Sequence, residues 1–374
     1  MTSPAAKKAP QLMDRARNAL KLRDFETTEK LARQHLVERP DSEEARLMLG
    51  TVYLRTDRAR EALSAFSSIL AREPSNLEAL VNIGSVYLKM GKPQDAIKAL
   101  ERALDVEPNN AETLFNLGNA YRQTGNLKAA EMAYVKAIER DQSHVLAYNN
   151  LGGVYRAMGD AEKAVRVFWR GLQVDPNYPS FHYNLGNAYE VLGKKDDALK
   201  EYEQAVRSRP GWVEAMNKYG LALLAADRHR RALDVFTQVL AIEPLNAEAR
   251  NEIGLVYSEE GKVEDALRWF RQAIEADPSF IRAALNIEQL LEKAGRWDAA
   301  LQEIVRLVEI MPENDELRVH LASLYENLGR GREAREALEE VLRRRPDEPK
   351  ALKPYAALLE KAGESDKATA IYEK

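Results

Sequence analysis

The sequence predicts an all-α solenoid made of eleven stacked helical hairpins. Prolines recur at a constant spacing, which is the distance in sequence from Pro40 to Pro74, and alanine returns at one position of ten successive repeats. Each repeat also contains two stripes of apolar residues at helical spacing, separated by a short break. A fixed period of this length is typical of repeats that stack and share one continuous core.

The register of the repeat follows from the prolines. They are Pro40, Pro74, Pro108, Pro176, Pro210, Pro244, Pro278, Pro312 and Pro346. Neighbouring prolines are evenly spaced, except for one gap of twice the usual length that is centred on Gln142. If these prolines are place 32 of a repeat, place 20 is alanine in ten successive repeats, from Ala62 to Ala368. The spacing therefore predicts ten full repeats between residues 9 and 348 and a partial repeat over 349–374.

Residues 111–144 illustrate one hairpin. The first stripe contains Leu114, Leu117, Gly118 and Tyr121, and the second contains Ala130, Tyr134 and Ala137. Gly125 and Asn126 separate the stripes and predict a turn. Place 8 is glycine from Gly50 to Gly254. Glycine weakens a helix interior, so we expect a compensating close approach, for Gly152 against Ala164. Gly153, at place 9, has no such explanation.

The two ends of the array are predicted to differ. Residues 1–8 are expected to form a disordered tail. The repeat over 9–42 is degenerate, with Arg15 and Thr28 at usually apolar or small positions, and is expected to cap the core. Residues 43–348 contain nine regular repeats.

The partial repeat over 349–374 lacks a following repeat that would cover Ala368, Ile371 and Tyr372. We expect these side chains to form a modest exposed patch. A longer natural chain, or a contact between two copies of the protein through this repeat, would also cover them.

Two segments, FNLGNAYRQTGNLKAA and YNLGNAYEVLGKKDDALKEYEQA, resemble the common pattern of tetratricopeptide repeats. The resemblance extends from about residue 9 to residue 374. It implies a right-handed superhelix in which the first helix of every hairpin lines a concave groove. It further implies a non-catalytic scaffold or adaptor that binds an extended or helical segment of a partner protein.

Asparagines recur at place 6, which the resemblance places in the groove. They are Asn82, Asn116, Asn150 and Asn184. A primary amide both donates and accepts hydrogen bonds, so a ladder of amides could hold a peptide backbone of any sequence. The groove of O-linked N-acetylglucosamine transferases is similar in this respect, although asparagine is common at this place in tetratricopeptide repeats generally.

Other groove positions predict selectivity for the bound segment. The candidates are Phe115, Asn119, Arg122, Arg156, Tyr183 and Asn187. Aromatic and arginine side chains are enriched among the residues that dominate binding energy. Solvated helix faces carry similar residues, so the same pattern is compatible with an ordinary surface.

Composition argues against several other classes of protein. The chain has no cysteine and a net charge of −4, which gives no basis for disulfides, cysteine metal sites or nucleic-acid binding. The five histidines lack metal-ligand spacing, and no GxxxxGK[ST] phosphate loop occurs. We therefore expect no cofactor, no catalytic site, no membrane insertion and a cytoplasmic location.

Two alternative functions remain open on the sequence. The chain could be a structural protein that self-associates through its C-terminal repeat. It could also be the targeting module of an enzyme whose catalytic domain lies elsewhere.

Overall fold

The computed structural model describes residues 4–372, with side chains from residue 11 onwards. Every regular element in this part of the chain is an α-helix. The chain divides into two compact units, Met1–Ser208 and Arg209–Lys374. Each unit is a stack of helical hairpins, so the predicted all-α repeat fold is confirmed.

The first unit contains six hairpins. Its helices are α1 (Pro4–Lys21), α2 (Phe25–Glu38), α3 (Glu43–Arg55), α4 (Ala59–Leu70), α5 (Leu77–Lys89), α6 (Pro93–Val106), α7 (Ala111–Gln123), α8 (Leu127–Arg140), α9 (Val145–Ala157), α10 (Ala161–Val174), α11 (Pro179–Val191) and α12 (Lys195–Ser208).

The second unit contains five hairpins. Its helices are α13 (Val213–Leu224), α14 (His229–Ile242), α15 (Ala247–Glu259), α16 (Val263–Ala276), α17 (Ile281–Lys293), α18 (Trp297–Ile310), α19 (Asp315–Asn327), α20 (Gly331–Arg344), α21 (Pro349–Lys361) and α22 (Ser365–Tyr372).

Local signals in the sequence explain the hairpin of α7 and α8. The Asn110 side chain accepts a hydrogen bond from the Thr113 backbone N–H at 2.9 Å and caps the start of α7. Gly125 ends the helix with a φ of +75°, in the left-handed region that glycine enters without strain. Asn126 then caps α8 through the Ala129 backbone N–H. Glycine thus permits the turn, and asparagine caps the helix that follows it.

The hairpins from Gly50 to Gly254 share a glycine at place 8 in their core, but its partner differs from the predicted one. The atoms nearest to a Cβ built on Gly152 belong to the ring of Phe168 at place 24, not to Ala164. The Phe168 side chain is fully buried. Because a ring occupies the space of the missing Cβ, glycine allows the two helices of the hairpin to approach closely.

The ends of the chain also differ from expectation. Helix α1 begins at Pro4, so residues 4–8 of the predicted tail lie in a helix, and residues 1–3 lie outside the described residues. At the C-terminal end, Ala368 is fully buried against α21 rather than exposed. Ala368 faces the preceding helix of its own hairpin, so its burial does not depend on a following repeat. Tyr372 is 53% exposed.

None of the described helices is long and apolar enough to cross a membrane.

Candidate functional site

The candidate site lies on the first helices of the first unit. Helices α3, α5, α7 and α9 each contact the first helix of the next hairpin, in addition to the second helices that separate them in sequence. Within the described part of the chain, the second helices of successive hairpins do not contact one another to this extent. The first helices therefore lie on the more tightly packed side of the stack. We call the face of α3, α5, α7, α9 and α11 on this side of the stack the inner wall.

A hydrogen-bonded group of side chains connects α7 with α9 on this wall. The Tyr134 hydroxyl donates to Asn119 Oδ1 at 2.7 Å, and Asn150 Nδ2 donates to the same oxygen at 2.8 Å. Burial raises the pKa of Tyr134, and the nearby positive charge of Arg122 offsets part of this effect. Tyr134 thus stays a neutral donor that holds the Asn119 amide in place.

A second group connects α9 with α11. Asn184 Nδ2 donates to Asn149 Oδ1 at 3.1 Å, and Arg156 Nη1 donates to Asn184 Oδ1 at 2.7 Å. Asn149 and Asn184 are half-buried, whereas Arg156 is exposed. The structure therefore brings Asn150 and Asn184 to one wall, each hydrogen-bonded to a residue of a neighbouring first helix.

A third group repeats the first one, two hairpins further along the chain. The Tyr202 hydroxyl donates to Asn187 Oδ1 at 2.9 Å. Burial raises the pKa of Tyr202. The Tyr183 ring is half-buried and lies 6.0 Å from the Tyr202 ring, centroid to centroid. Asn187 and Tyr183 thus both lie beside the buried tyrosine of their own hairpin.

Three of the predicted site residues, Asn82, Asn116 and Phe115, make contacts other than those expected. Asn82 donates to the Glu78 backbone carbonyl one turn earlier in its own helix, at 2.9 Å. Asn116 is only 8% exposed, and its amide donates to Glu112 Oε1 of the same helix at 3.3 Å. The Phe115 ring is buried, with its centroid 4.6 Å from that of His144. The four place-6 amides therefore do not form one continuous ladder, and the Phe115 ring has little exposed surface.

Prediction from the sequence missed the buried tyrosines and Asn149. Place 24 is an aromatic or aliphatic residue in most repeats, and among the full repeats it is tyrosine only at Tyr134 and Tyr202. These are also the only full repeats with asparagine at place 9, Asn119 and Asn187. A buried hydroxyl needs a hydrogen-bond partner, and the place-9 amide provides it. This pairing between places 9 and 24 is visible in the sequence.

The second unit carries a different polar group on its first helices. Asn286 Nδ2 donates to Asn251 Oδ1 at 2.8 Å, and Asn251 is fully buried. Glu252 is 3% exposed, and burial raises its pKa. Asn251 and Glu252 are enclosed and only Asn286 of this group is half-buried, whereas Asn149, Asn150 and Asn184 of the first unit are all half-buried. The first unit is thus the better candidate for binding a ligand.

The described residues contain no group of three or more histidine, aspartate or glutamate side chains placed to hold a metal ion.

Family models match most of the length of the chain. Models described as tetratricopeptide repeat match residues 75–143, 133–166, 179–212, 217–279 and 291–359, and a model described as TPR repeat matches 152–193. A model described as anaphase-promoting complex, cyclosome, subunit 3 matches residues 21–103. No curated protein matches the sequence significantly.

Several solved structures resemble parts of the chain. MamA is 29% identical over 43% of this chain and 94% of its own, with a TM-score of 0.40. YrrB, a TPR protein with an unusual peptide-binding site, is 26% identical over 50% of this chain and 96% of its own, with a TM-score of 0.45. The C-terminal part of a TPR repeat-containing protein from Cytophaga hutchinsonii shares the fold at 16% identity, over 63% of this chain and 97% of its own, with a TM-score of 0.54.

Proposed function

Because the chain belongs to the tetratricopeptide repeat family, we propose that the inner wall of its first unit binds an extended segment of a partner protein. Membership of this family supports a role as a protein-interaction scaffold in general. The more specific proposal concerns α7, α9 and α11. In this proposal the protein acts without catalysis, as an adaptor.

The observation that carries the proposal is the fixed position of the Asn150 and Asn184 amides. Each is held by a hydrogen bond from or to a neighbouring first helix. A primary amide has two N–H donors and two acceptor lone pairs, so bonding capacity is left for a ligand. An extended peptide presents backbone N–H and C=O groups at regular intervals of about 3.3 Å per residue. Amides that are already ordered lose less entropy when they bind it.

Charged side chains provide the selectivity in this proposal. Arg122 and Arg156 are both exposed at place 12 of α7 and α9. Neither arginine takes part in an ion pair of the described chain. Two adjacent cations favour a partner segment that carries acidic side chains. Tyr183, half-buried on α11, adds an aromatic surface.

The test starts from short peptides selected by phage display against the full chain. Replacement of both Asn150 and Asn184 by alanine should weaken binding of a selected peptide by about 2 kcal/mol, at about 1 kcal/mol for each lost hydrogen bond. Calorimetry would measure the affinity, and circular dichroism would verify the helix content.

The matched control is Asn82→Ala. The Asn82 amide bonds within its own helix, so this variant should bind the peptide as the wild type does. If the Asn150 and Asn184 variant keeps full affinity and full helix content, the proposed site is wrong.

Self-association is the second candidate, and the exposed Tyr372 side chain favours it. Sedimentation velocity over a range of concentrations would detect a dimer, and Tyr372→Ser should weaken it. A species that stays monomeric at every concentration would eliminate this candidate.

A further inference from the structure

Gly153 occupies the middle of α9, where neither packing nor backbone geometry calls for glycine. A Cβ built on Gly153 meets no atom within 4 Å. Its φ is not among the positive values that occur in the turns of the chain. Glycine weakens a helix interior relative to alanine. At Gly153 no packing contact and no turn geometry compensates for this loss of stability. The neighbouring Gly152 differs, since the ring of Phe168 fills the space beside it.

Polar side chains flank Gly153 along one face of α9. In a helix, positions three and four residues away lie on the same face, which places Asn149 and Asn150 before Gly153 and Arg156 after it. Asn150 is bonded toward α7, whereas Asn149 and Arg156 are both bonded to Asn184 on α11. The polar side chains are thus tied outward to both neighbouring helices. Gly153 therefore leaves open space between side chains that are held toward the neighbouring helices.

Arg156 brings a positive charge to this part of α9, and the Glu190 carboxylate of α11 acts on the pKa of Tyr202 in the direction opposite to Arg156. Arg156 uses one N–H group for Asn184 Oδ1, at 2.7 Å, and keeps its other donors. Arg156 forms no ion pair within the described part of the chain. An arginine held in one orientation by a hydrogen bond is suited to pair with a carboxylate in a fixed geometry.

We infer that Gly153 and Arg156 form a pocket that receives an acidic side chain, aspartate or glutamate, of the bound segment. This inference rests on the proposed function, because it concerns the same wall. Glycine provides the room for the incoming side chain, Arg156 pairs with its carboxylate, and the amide of Asn150 borders the pocket. An apolar side chain would instead leave these polar groups without water or a partner.

The test uses peptides selected by display on the full chain, with each acidic residue changed in turn to its amide. One such change should lower the affinity for the wild-type chain about tenfold, as expected for loss of a charge-assisted hydrogen bond. The same change should have little effect on binding to an Arg156→Gln chain, because the carboxylate has no partner there. Gly153→Ala should also weaken binding about tenfold while it raises the thermal midpoint of unfolding.

Gly331→Ala is the matched control, since a Cβ there also meets no atom within 4 Å and the residue lies in the second unit. It should leave peptide affinity unchanged. Selected peptides without an essential acidic residue, or a Gly153→Ala chain with wild-type affinity, would overturn the inference. If binding still responds to the Asn150 and Asn184 variant, the proposed function survives that result; if it does not, both fail.

Discussion

The ring of Phe168 lies against the backbone of Gly152, and a Cβ on this glycine would overlap its carbon Cε1. The ring is fully buried. The adjacent Gly153 faces open space. Two consecutive glycines of one helix therefore serve different purposes, and substitution should separate them.

Gly152→Ala should destabilise the protein by about 1–3 kcal/mol, because the added methyl group overpacks the hairpin. Gly153→Ala should stabilise it by about 0.5–1 kcal/mol, since only the cost of glycine in a helix is removed. Urea unfolding followed by circular dichroism would give both midpoints. Equal shifts in the same direction would contradict the assigned roles.

Tyr134→Phe removes the hydroxyl that orders Asn119 and keeps the ring. We expect a loss of about 1 kcal/mol of unfolding free energy, because the hydrogen bond at 2.7 Å disappears and the amide loses a partner. Peptide affinity should also fall, since the Asn119 and Asn150 amides become less ordered.

The reverse change provides the control for Tyr134→Phe. Phe168→Tyr places a hydroxyl in a hairpin whose place 9 is Gly153, which offers no amide to accept the bond. This variant should be less stable than the wild type. A Phe168→Tyr chain of unchanged stability would show that the pairing of places 9 and 24 has no energetic significance.

His182 and Glu201 predict a pH dependence within the hairpin of α11 and α12. His182 Nδ1 lies 2.7 Å from Glu201 Oε2. Burial opposes protonation of His182, but hydrogen bonds to Glu201 and to the Pro176 carbonyl outweigh it, so its pKa lies above the ordinary 6.5. A raised folded-state pKa means that the pair stabilises the fold below about pH 6.5. This contribution is lost as the pH rises through the folded-state pKa.

His182→Gln should therefore lower stability more at about pH 5.5 than at about pH 8.5. Urea midpoints at the two pH values would test this, with wild-type chain measured in parallel. A destabilisation that is the same at both values would mean that protonated His182 does not stabilise the hairpin.

Arg58 connects the first two hairpins through Glu29. Arg58 Nη1 lies 2.6 Å from Glu29 Oε2, and Arg58 Nε donates to Glu61 Oε2 at 2.8 Å. Arg58→Ala should speed hydrogen exchange in α2 and leave α7 unaffected, with a difference that shrinks in salt. Arg60→Ala, at an exposed residue of the same helix turn, is the control. Equal hydrogen-exchange rates of α2 in the Arg58→Ala and Arg60→Ala variants would show that Arg58 does not connect the two hairpins.

The fold was largely predictable because its determinants are local and periodic. The Gly125 turn, the caps of α7 and α8, and the small residues at places 8 and 20 each act within one hairpin. Helical periodicity then decides which face of each helix is apolar. The location of the candidate site on the first helices follows from the same register.

The contacts of the candidate site were less predictable. Phe115 and Asn116 were expected on the groove face of α7, yet both side chains are buried. Asn150 and Asn184 find partners on adjacent helices, and Asn82 turns back on its own. One place in the repeat thus has several environments, because the residues of neighbouring repeats differ.

By itself, the sequence determined the period, the hairpins and the small residues that allow close packing, since these depend on spacing along one chain. Only the tertiary structure decided which amides stand on the inner wall, which are enclosed, and that Gly153 opens a gap among them. The physical reason is that hydrogen-bond partners and burial are set by side chains of neighbouring repeats, whose positions follow from how the helices pack.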